Sequence, residues 1–196
     1  MTDESLSFLQ VALRVGSACE SAGFAYLVTG SVAGTLQGVI RSTQDIDLVV
    51  EMTAWGLPKF VKALGDAFEV DEESLAEAIR TQGSWNVFHL PTMTKIDLFM
   101  LTDESFAKSS FQRRLSVPLP EGGELKVMAA EDLVLQKLLW FRKGGEVSEQ
   151  QWRDVVGLLN ANPTLDAAHL DAWAARLGIE ALLARARLLT PVSLER

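Results

Sequence analysis

The sequence has few of the residues that build disulfides and histidine metal sites. Its single cysteine, Cys19, cannot form an intramolecular disulfide, which suits a reducing compartment. Cys19 lies in an apolar helical pattern without a nucleophile motif, so we interpret it as a core residue. The two histidines, His89 and His169, are far apart in the chain and lack the spacing of metal ligands, so both are interpreted as structural.

The sequence is also short of basic charge and of long apolar runs. The formal net charge is −8 at pH 7, which disfavours a broadly basic nucleic-acid-binding surface. Apolar runs such as LVLQKLLWF are interrupted by polar residues, here Gln136 and Lys137, and do not reach the length of a bilayer span. The N-terminal residues MTDES lack the basic segment of a signal peptide. We therefore expect a cytoplasmic protein without a membrane partner.

The patterns that are present predict an α+β fold. Apolar residues make up 48% of the 196 residues, enough for a sizeable core. Up to about Met128, β-forming segments alternate with helical patterns, and after it only helical patterns follow. We predict a core of mixed β-sheet with flanking helices over residues 1–128, and a C-terminal helical bundle over residues 129–196 that packs on it. The strands are expected at 24–29, 45–52, 68–70, 85–90, 95–101, 115–119 and 124–128.

The prediction of a functional site begins with the stretch Tyr26–Met52 (YLVTGSVAGTLQGVIRSTQDIDLVVEM). This stretch indicates a strand, a Gly30-Ser31 turn, a short helix and a second strand that carries Asp45 and Asp47. Side chains alternate along a strand, so the two aspartates share one face and present hard oxygen ligands that suit Mg²⁺. Backbone N–H groups at the start of the short helix can bind a phosphate, and Gly30 lets it approach closely.

A second apolar strand, KIDLFML, carries Asp97. If this strand neighbours the first, a sheet spacing of roughly 4.8 Å brings its carboxylate into the same cluster. There Asp97 could accept a proton from an incoming hydroxyl. The alternative for all three aspartates is an exposed position at a strand end.

Three further charged residues have two interpretations each. Arg41 either contacts a phosphate or pairs with a surface acid. Lys137 lies on an apolar helical face and either extends to solvent or enters a pocket. Asp154 either lies near an active site or forms a surface ion pair with its neighbour Arg153.

Gly30-Ser31, a spacer, Asp45-Ile46-Asp47 and a later Asp97 together resemble the signature of the nucleotidyltransferase-fold family, the DNA polymerase beta-like superfamily. The resemblance implies that Gly30 and Ser31 hold the triphosphate. It implies Mg²⁺ ligation by Asp45 and Asp47, with Asp97 completing the catalytic and metal-binding triad.

The later segment EDLVLQKLLWFRKGG…QQWRDVVGLL is similar to the helical half of the AbiEii/AbiGii toxin-like branch. This resemblance implies that Lys137 contacts the triphosphate and that Asp154 lies near the active site. It also implies an RNA or protein acceptor and a cognate antitoxin, because the branch includes toxins of bacterial toxin–antitoxin systems.

The resulting hypothesis is a metal-dependent enzyme that moves a nucleotide from an NTP to a hydroxyl of RNA or protein. A small-molecule acceptor, as in antibiotic-modifying relatives, is the first alternative, and the negative net charge would suit a cationic one. A non-catalytic binding module of the same fold is the second.

Overall fold

The computed structural model describes residues 6–39 and 45–190, so Arg41 lies outside the described residues. The described chain divides into two compact units, one of residues 6–32 and 45–128 and one of residues 33–39 and 129–190. All strands of the described residues belong to the first unit.

The first unit follows the predicted order of elements closely. In chain order these are α1 (Phe8–Ala22), β1 (Ala25–Thr29), the start of α2 (Gly30–Leu36), β2 (Asp45–Glu51), α3 (Leu57–Leu64), β3 (Phe68–Glu69), α4 (Glu72–Thr81), β4 (Ser84–His89), β5 (Thr94–Met100), α5 (Ser105–Gln112), β6 (Leu115–Pro118) and β7 (Glu124–Val127). Short 3₁₀ turns at Ala54–Gly56 and Leu90–Thr92 precede α3 and β5.

The strands form one seven-stranded mixed sheet in the order β3-β4-β5-β2-β1-β7-β6. The β2–β5 and β1–β7 pairs are parallel, and the other four pairs are antiparallel. The mixed sheet predicted from the sequence is confirmed, and the strand at Phe68 lies at its edge. The condition for a shared carboxylate cluster is met, since the two aspartate strands β2 and β5 pair along their length.

One face of the central strands is buried and fixes which side chains the other face presents. Ile46 and Leu48 of β2 are fully buried, as are Ile96 and Leu98 of β5. Burying a side chain of this size stabilises the fold by about 1.5–3 kcal/mol. Because the side-chain period of a strand is two, a slip of one residue would bury the aspartates instead. The hydrophobic pattern therefore holds the acidic residues on the less covered face.

Helix α1 begins and ends where its sequence signals indicate. The Ser7 side chain accepts a hydrogen bond from the Gln10 N–H, and the Gln10 side chain accepts one from the Ser7 N–H, which is a capping box. Gly23 ends the helix in the left-handed conformation, with φ of 81°. Cys19 is buried within this helix, as predicted.

The second unit is helical. Apart from residues 33–39, which include most of α2, its elements are α6 (Ala130–Lys143), α7 (Glu149–Ala161), α8 (Ala167–Leu177) and α9 (Glu180–Arg187). Its core includes Leu133, Val155, Leu158, Leu170 and Leu183.

A buried polar contact joins α6 and α8. Asp132 is fully buried, and its Oδ1 lies 2.7 Å from Nε2 of His169. His169 therefore has a packing role inside this unit, which agrees with the structural interpretation of that residue.

None of the helices in the described residues combines the length and hydropathy that a bilayer-spanning helix requires.

Candidate active site

Asp47 lies at the centre of a polar row that crosses four strands. Its neighbour on β1 is Thr29, its neighbour on β5 is Asp97, and Asp97 in turn pairs with Asn86 of β4. Residues directly paired in a sheet direct their side chains to the same face, with Cβ atoms about 4.5–5.5 Å apart. The pairing therefore places the second and third predicted aspartates side by side.

Asp45 starts a second row on the same face, two residues before Asp47. It pairs with Lys95 of β5, which pairs with Phe88 of β4. Asp45 is exposed and Asp47 is half-buried, whereas Ile46 between them is fully buried. The predicted shared face of Asp45 and Asp47 is thus confirmed.

Lys95 supplies a positive charge within these rows. Its Nζ lies 2.7 Å from Oδ1 and 2.9 Å from Oδ2 of Asp97, so the ammonium bridges both carboxylate oxygens. This hydrogen bond raises the pKa of Lys95, against the partial loss of hydration that lowers it. The negative charges of Asp97, Asp45 and Asp47 raise that pKa further, so the Lys95 ammonium interacts electrostatically with all three carboxylates.

Gly30 touches Asp47 where β1 ends and α2 begins. Its φ is +62°, a conformation that L side chains rarely adopt. A Cβ at this position would lie 2.8 Å from Asp47 Cγ and even closer to Oδ2. Only glycine therefore lets the chain pass the carboxylate here. Ser31 follows it and is buried, at 7% exposure.

The donor set of this face suits a divalent metal that prefers oxygen. Asp45, Asp47 and Asp97 offer carboxylate oxygens only, and the absence of a Cβ on Gly30 lets the Asp47 carboxylate take its position there. Across the described ranges, no three or more histidine, cysteine or acidic side chains converge as a ready-made metal site.

The remaining predicted site residues, Lys137 and Asp154, form a pair inside the second unit. Lys137 Nζ donates to Asp154 Oδ2 at 2.7 Å, and the two side chains are 6% and 9% exposed. Gln151 Oε1 lies 3.4 Å from the same ammonium. Lys137 therefore does not extend to solvent, and the interpretation of Asp154 as part of a surface ion pair is wrong because its carboxylate is buried.

Comparison with known proteins supports the fold alone. No family model matches the chain, and no curated protein is similar to it in sequence. In three dimensions the chain is similar to the solution structure of the antibiotic-resistance factor ANT(2'')-Ia, with a TM-score of 0.53 and 17% identity over 93% of this chain and 98% of that one. The chain has the nucleotidyltransferase fold.

Two further structures of this nucleotidyltransferase group are similar. The crystal structure of ANT(2'')-Ia in complex with adenylyl-2''-tobramycin matches with a TM-score of 0.50 and 13% identity, over 87% of this chain and 97% of that one. The lincomycin-bound lincosamide adenylyltransferase LnuA matches with a TM-score of 0.46 and 16% identity, over 78% and 96% of the two chains.

Within this nucleotidyltransferase fold, the strand register reveals polar neighbours that sequence motifs do not indicate. Lys95 and Asn86 both flank Asp97, one along β5 and the other across on β4. The only sequence signal for Lys95 is its position two residues before Asp97, which puts both on one face. Nothing in the sequence indicates Asn86, because its place depends on the pairing of β4 with β5.

Proposed function

We propose that this protein is a metal-dependent nucleotidyltransferase that transfers a nucleotide from an NTP to a hydroxyl group of a small molecule. The observation that carries the proposal is the position of Asp47 between Gly30 and Asp97 on the open face of the sheet. The nucleotidyltransferase fold supports it as well, and the motif residues lie on two neighbouring strands and one turn of the sheet.

In this proposal each motif residue has a separate task. Gly30 and Ser31 hold the triphosphate at the start of α2. Asp45 and Asp47 hold Mg²⁺, and Asp97 completes the set of metal ligands. The metal, when bound, supplies positive charge for the triphosphate. Asp97 accepts the proton of the acceptor hydroxyl while the hydroxyl oxygen bonds to the α-phosphorus and the bond to pyrophosphate breaks.

Two features favour a small cationic acceptor. ANT(2'')-Ia, which shares the fold, has been solved with adenylyl-2''-tobramycin. The net charge of −8 in this chain attracts cations and repels polyanions. The same face carries Asn86, Phe88 and Phe99 beside Asp97 and Lys95. Phe88 is 37% exposed and Phe99 is 39% exposed. We propose that this surface contacts the acceptor ring.

The predicted RNA or protein acceptor and the cognate antitoxin remain hypotheses from the sequence resemblance. The cytoplasmic location remains an expectation from the composition and the N-terminal residues. The acidic balance of the chain opposes an RNA substrate. The proposed contact of Lys137 with the triphosphate, with Asp154 beside it, also remains a prediction. Arg41 keeps both of its interpretations.

The test measures transfer from α-labelled NTPs to three acceptor pools: a panel of aminoglycosides and other amino alcohols, total RNA, and total protein. Label should pass to a small-molecule acceptor with Mg²⁺ present and stop with EDTA. Asp47→Asn should lower the rate at least a hundredfold, in line with the loss of a charge-stabilising group at a reacting centre. Asp103→Asn, which makes the same charge change in an exposed pair with Lys108, should leave the rate unchanged.

The three pools separate the alternatives. Label in RNA or protein would replace the proposed acceptor with the one that the toxin-like resemblance implies. No transfer to any pool, together with no nucleotide binding by calorimetry, would leave a non-catalytic binding module of the same fold.

A further inference from the structure

The carboxylate face contains its own cation, which no motif assigns. Lys95 and Asp97 stand two residues apart on β5, so both side chains point to the face that carries Asp45 and Asp47. Lys95 lies opposite Asp45 in the register, and its Nζ is bonded to both oxygens of Asp97. The ammonium is therefore the nearest positive charge to the predicted third carboxylate.

A divalent metal bound to Asp97 would need the same carboxylate oxygens that the Lys95 ammonium contacts. Metal ligation uses carboxylate lone pairs, and the Lys95 ammonium already contacts both oxygens as a hydrogen-bond donor, at 2.7 and 2.9 Å. Two cations on one carboxylate also repel each other at short range. Binding of a metal to Asp97 therefore requires the ammonium to move away.

The Lys95 side chain can make such a movement. It is 34% exposed, whereas Asp97 is 14% exposed, so the lysine lies at the solvent side of the pair. Lysine carries its charge on a flexible four-carbon stem, which lets the head group leave without a change in the strand.

We propose that Lys95 is a built-in counter-ion that holds the carboxylate row together without metal and competes with the divalent metal for Asp97. The proposal rests on the metal-dependent function above and adds a residue that sets metal affinity. Its consequence is that the site binds metal more weakly than three carboxylates alone would, and that metal and ammonium substitute for one another.

The test compares Mn²⁺ binding, followed by calorimetry and by electron paramagnetic resonance, in the wild type and three variants. Lys95→Gln removes the ammonium, and Lys95→Arg keeps a positive charge. Lys126→Gln is the matched control, because Lys126 also bonds an acid two residues away on a strand, Glu124, and is 31% exposed. The two glutamine variants therefore change the net charge equally.

Lys95→Gln should bind Mn²⁺ roughly tenfold more tightly than Lys126→Gln, as expected when one positive charge next to a dication is removed. Lys95→Arg should stay within about twofold of the wild type. In EDTA, the Tm of Lys95→Gln should lie below that of Lys126→Gln, and Mn²⁺ should abolish this difference. A loss of general packing could not raise metal affinity.

Equal or weaker Mn²⁺ binding in Lys95→Gln than in Lys126→Gln would overturn the proposal, as would the absence of Mn²⁺ binding in every variant. Failure of the proposed function is seen separately, as absence of label transfer by the wild type. If the wild type transfers label while Lys95→Gln and Lys126→Gln bind Mn²⁺ equally well, the counter-ion proposal is rejected and the proposed function stands.

Discussion

Gly30 and Asp47 are in direct contact: the Asp47 carboxylate fills the space that a side chain at position 30 would need. Gly30 begins α2 directly after Thr29, the last residue of β1, and Thr29 lies opposite Asp47 on the antiparallel strand β2. The glycine therefore sets the position of the carboxylate, in addition to any contact that its backbone makes with a phosphate.

Gly30→Ala should displace Asp47 and lower both stability and nucleotide transfer. The new Cβ would collide with the carboxylate, and the left-handed backbone adds a strain of about 1–2 kcal/mol. Gly34→Ala in the same helix is the control, because no atom of the described residues lies within 4 Å of a Cβ there. Urea unfolding should show a lower unfolding free energy for Gly30→Ala and no decrease for Gly34→Ala. Equal behaviour of the two variants would contradict the contact.

The buried pair of Lys137 and Asp154 should make each partner depend on the other. Lys137→Met leaves a buried carboxylate without its cation and should cost about 3–5 kcal/mol of unfolding free energy. The double variant Lys137→Met, Asp154→Leu should recover much of this loss. Arg187→Met, which breaks the exposed pair with Asp171 in the same unit, should cost under about 1 kcal/mol. A double-mutant cycle in urea measures the coupling, and additive losses would argue against a buried ion pair.

Tyr26 should make the protein less stable above pH 10. Burial raises the pKa of Tyr26 to about 12, and its side chain is 1% exposed. Since the unfolded chain loses this proton near pH 10 and the native chain keeps it, the unfolding free energy falls between pH 10 and 12. The fall should reach roughly 3 kcal/mol. In Tyr26→Phe this part of the pH dependence should be missing, and an unchanged profile would contradict the assignment.

Cys19 should not react with thiol reagents in the folded protein. Burial raises the pKa of the Cys19 thiol, and the side chain is fully buried in α1. Iodoacetamide at pH 8 should therefore leave native protein unmodified and alkylate one site after unfolding in urea. Because the chain has a single cysteine, mass spectrometry reports this position directly. Rapid alkylation of native protein would show that α1 opens.

Sequence reasoning predicts local structure here because its signals are local. The alternation around Asp45 and Asp47 indicates a strand with two faces, and Ser148, whose side chain accepts a hydrogen bond from the Gln151 N–H, caps the start of α7. These features depend on residues a few positions apart. The predicted boundaries of the strands accordingly lie within one residue of those observed.

Register and ion pairing are harder to predict, because they join residues far apart in the chain. The pairing of Asp47 with Asp97 depends on the alignment of β2 with β5, and the bond of Lys137 to Asp154 depends on the packing of α6 against α7. For Lys95 the sequence indicates the face and leaves open which acid receives the ammonium. The proposed acceptor is the least predictable part, because strand alternation puts Phe88 on the exposed face of β4 but does not indicate what this face contacts.

The sheet order has a consequence for the order of events in folding. Strand β5 lies between β2 and β4, so the chain segment that carries Asp97 must form a parallel ladder on one side and an antiparallel ladder on the other. The hairpin with β4 is local and closes a short loop, whereas the ladder with β2 encloses α3, β3, α4 and β4 and carries a larger loop-closure cost. The hairpin should therefore form first and then dock onto β2 as a unit. This docking would bring Asp47 and Asp97 together, so a nascent chain would have its paired carboxylates only when the central ladder closes.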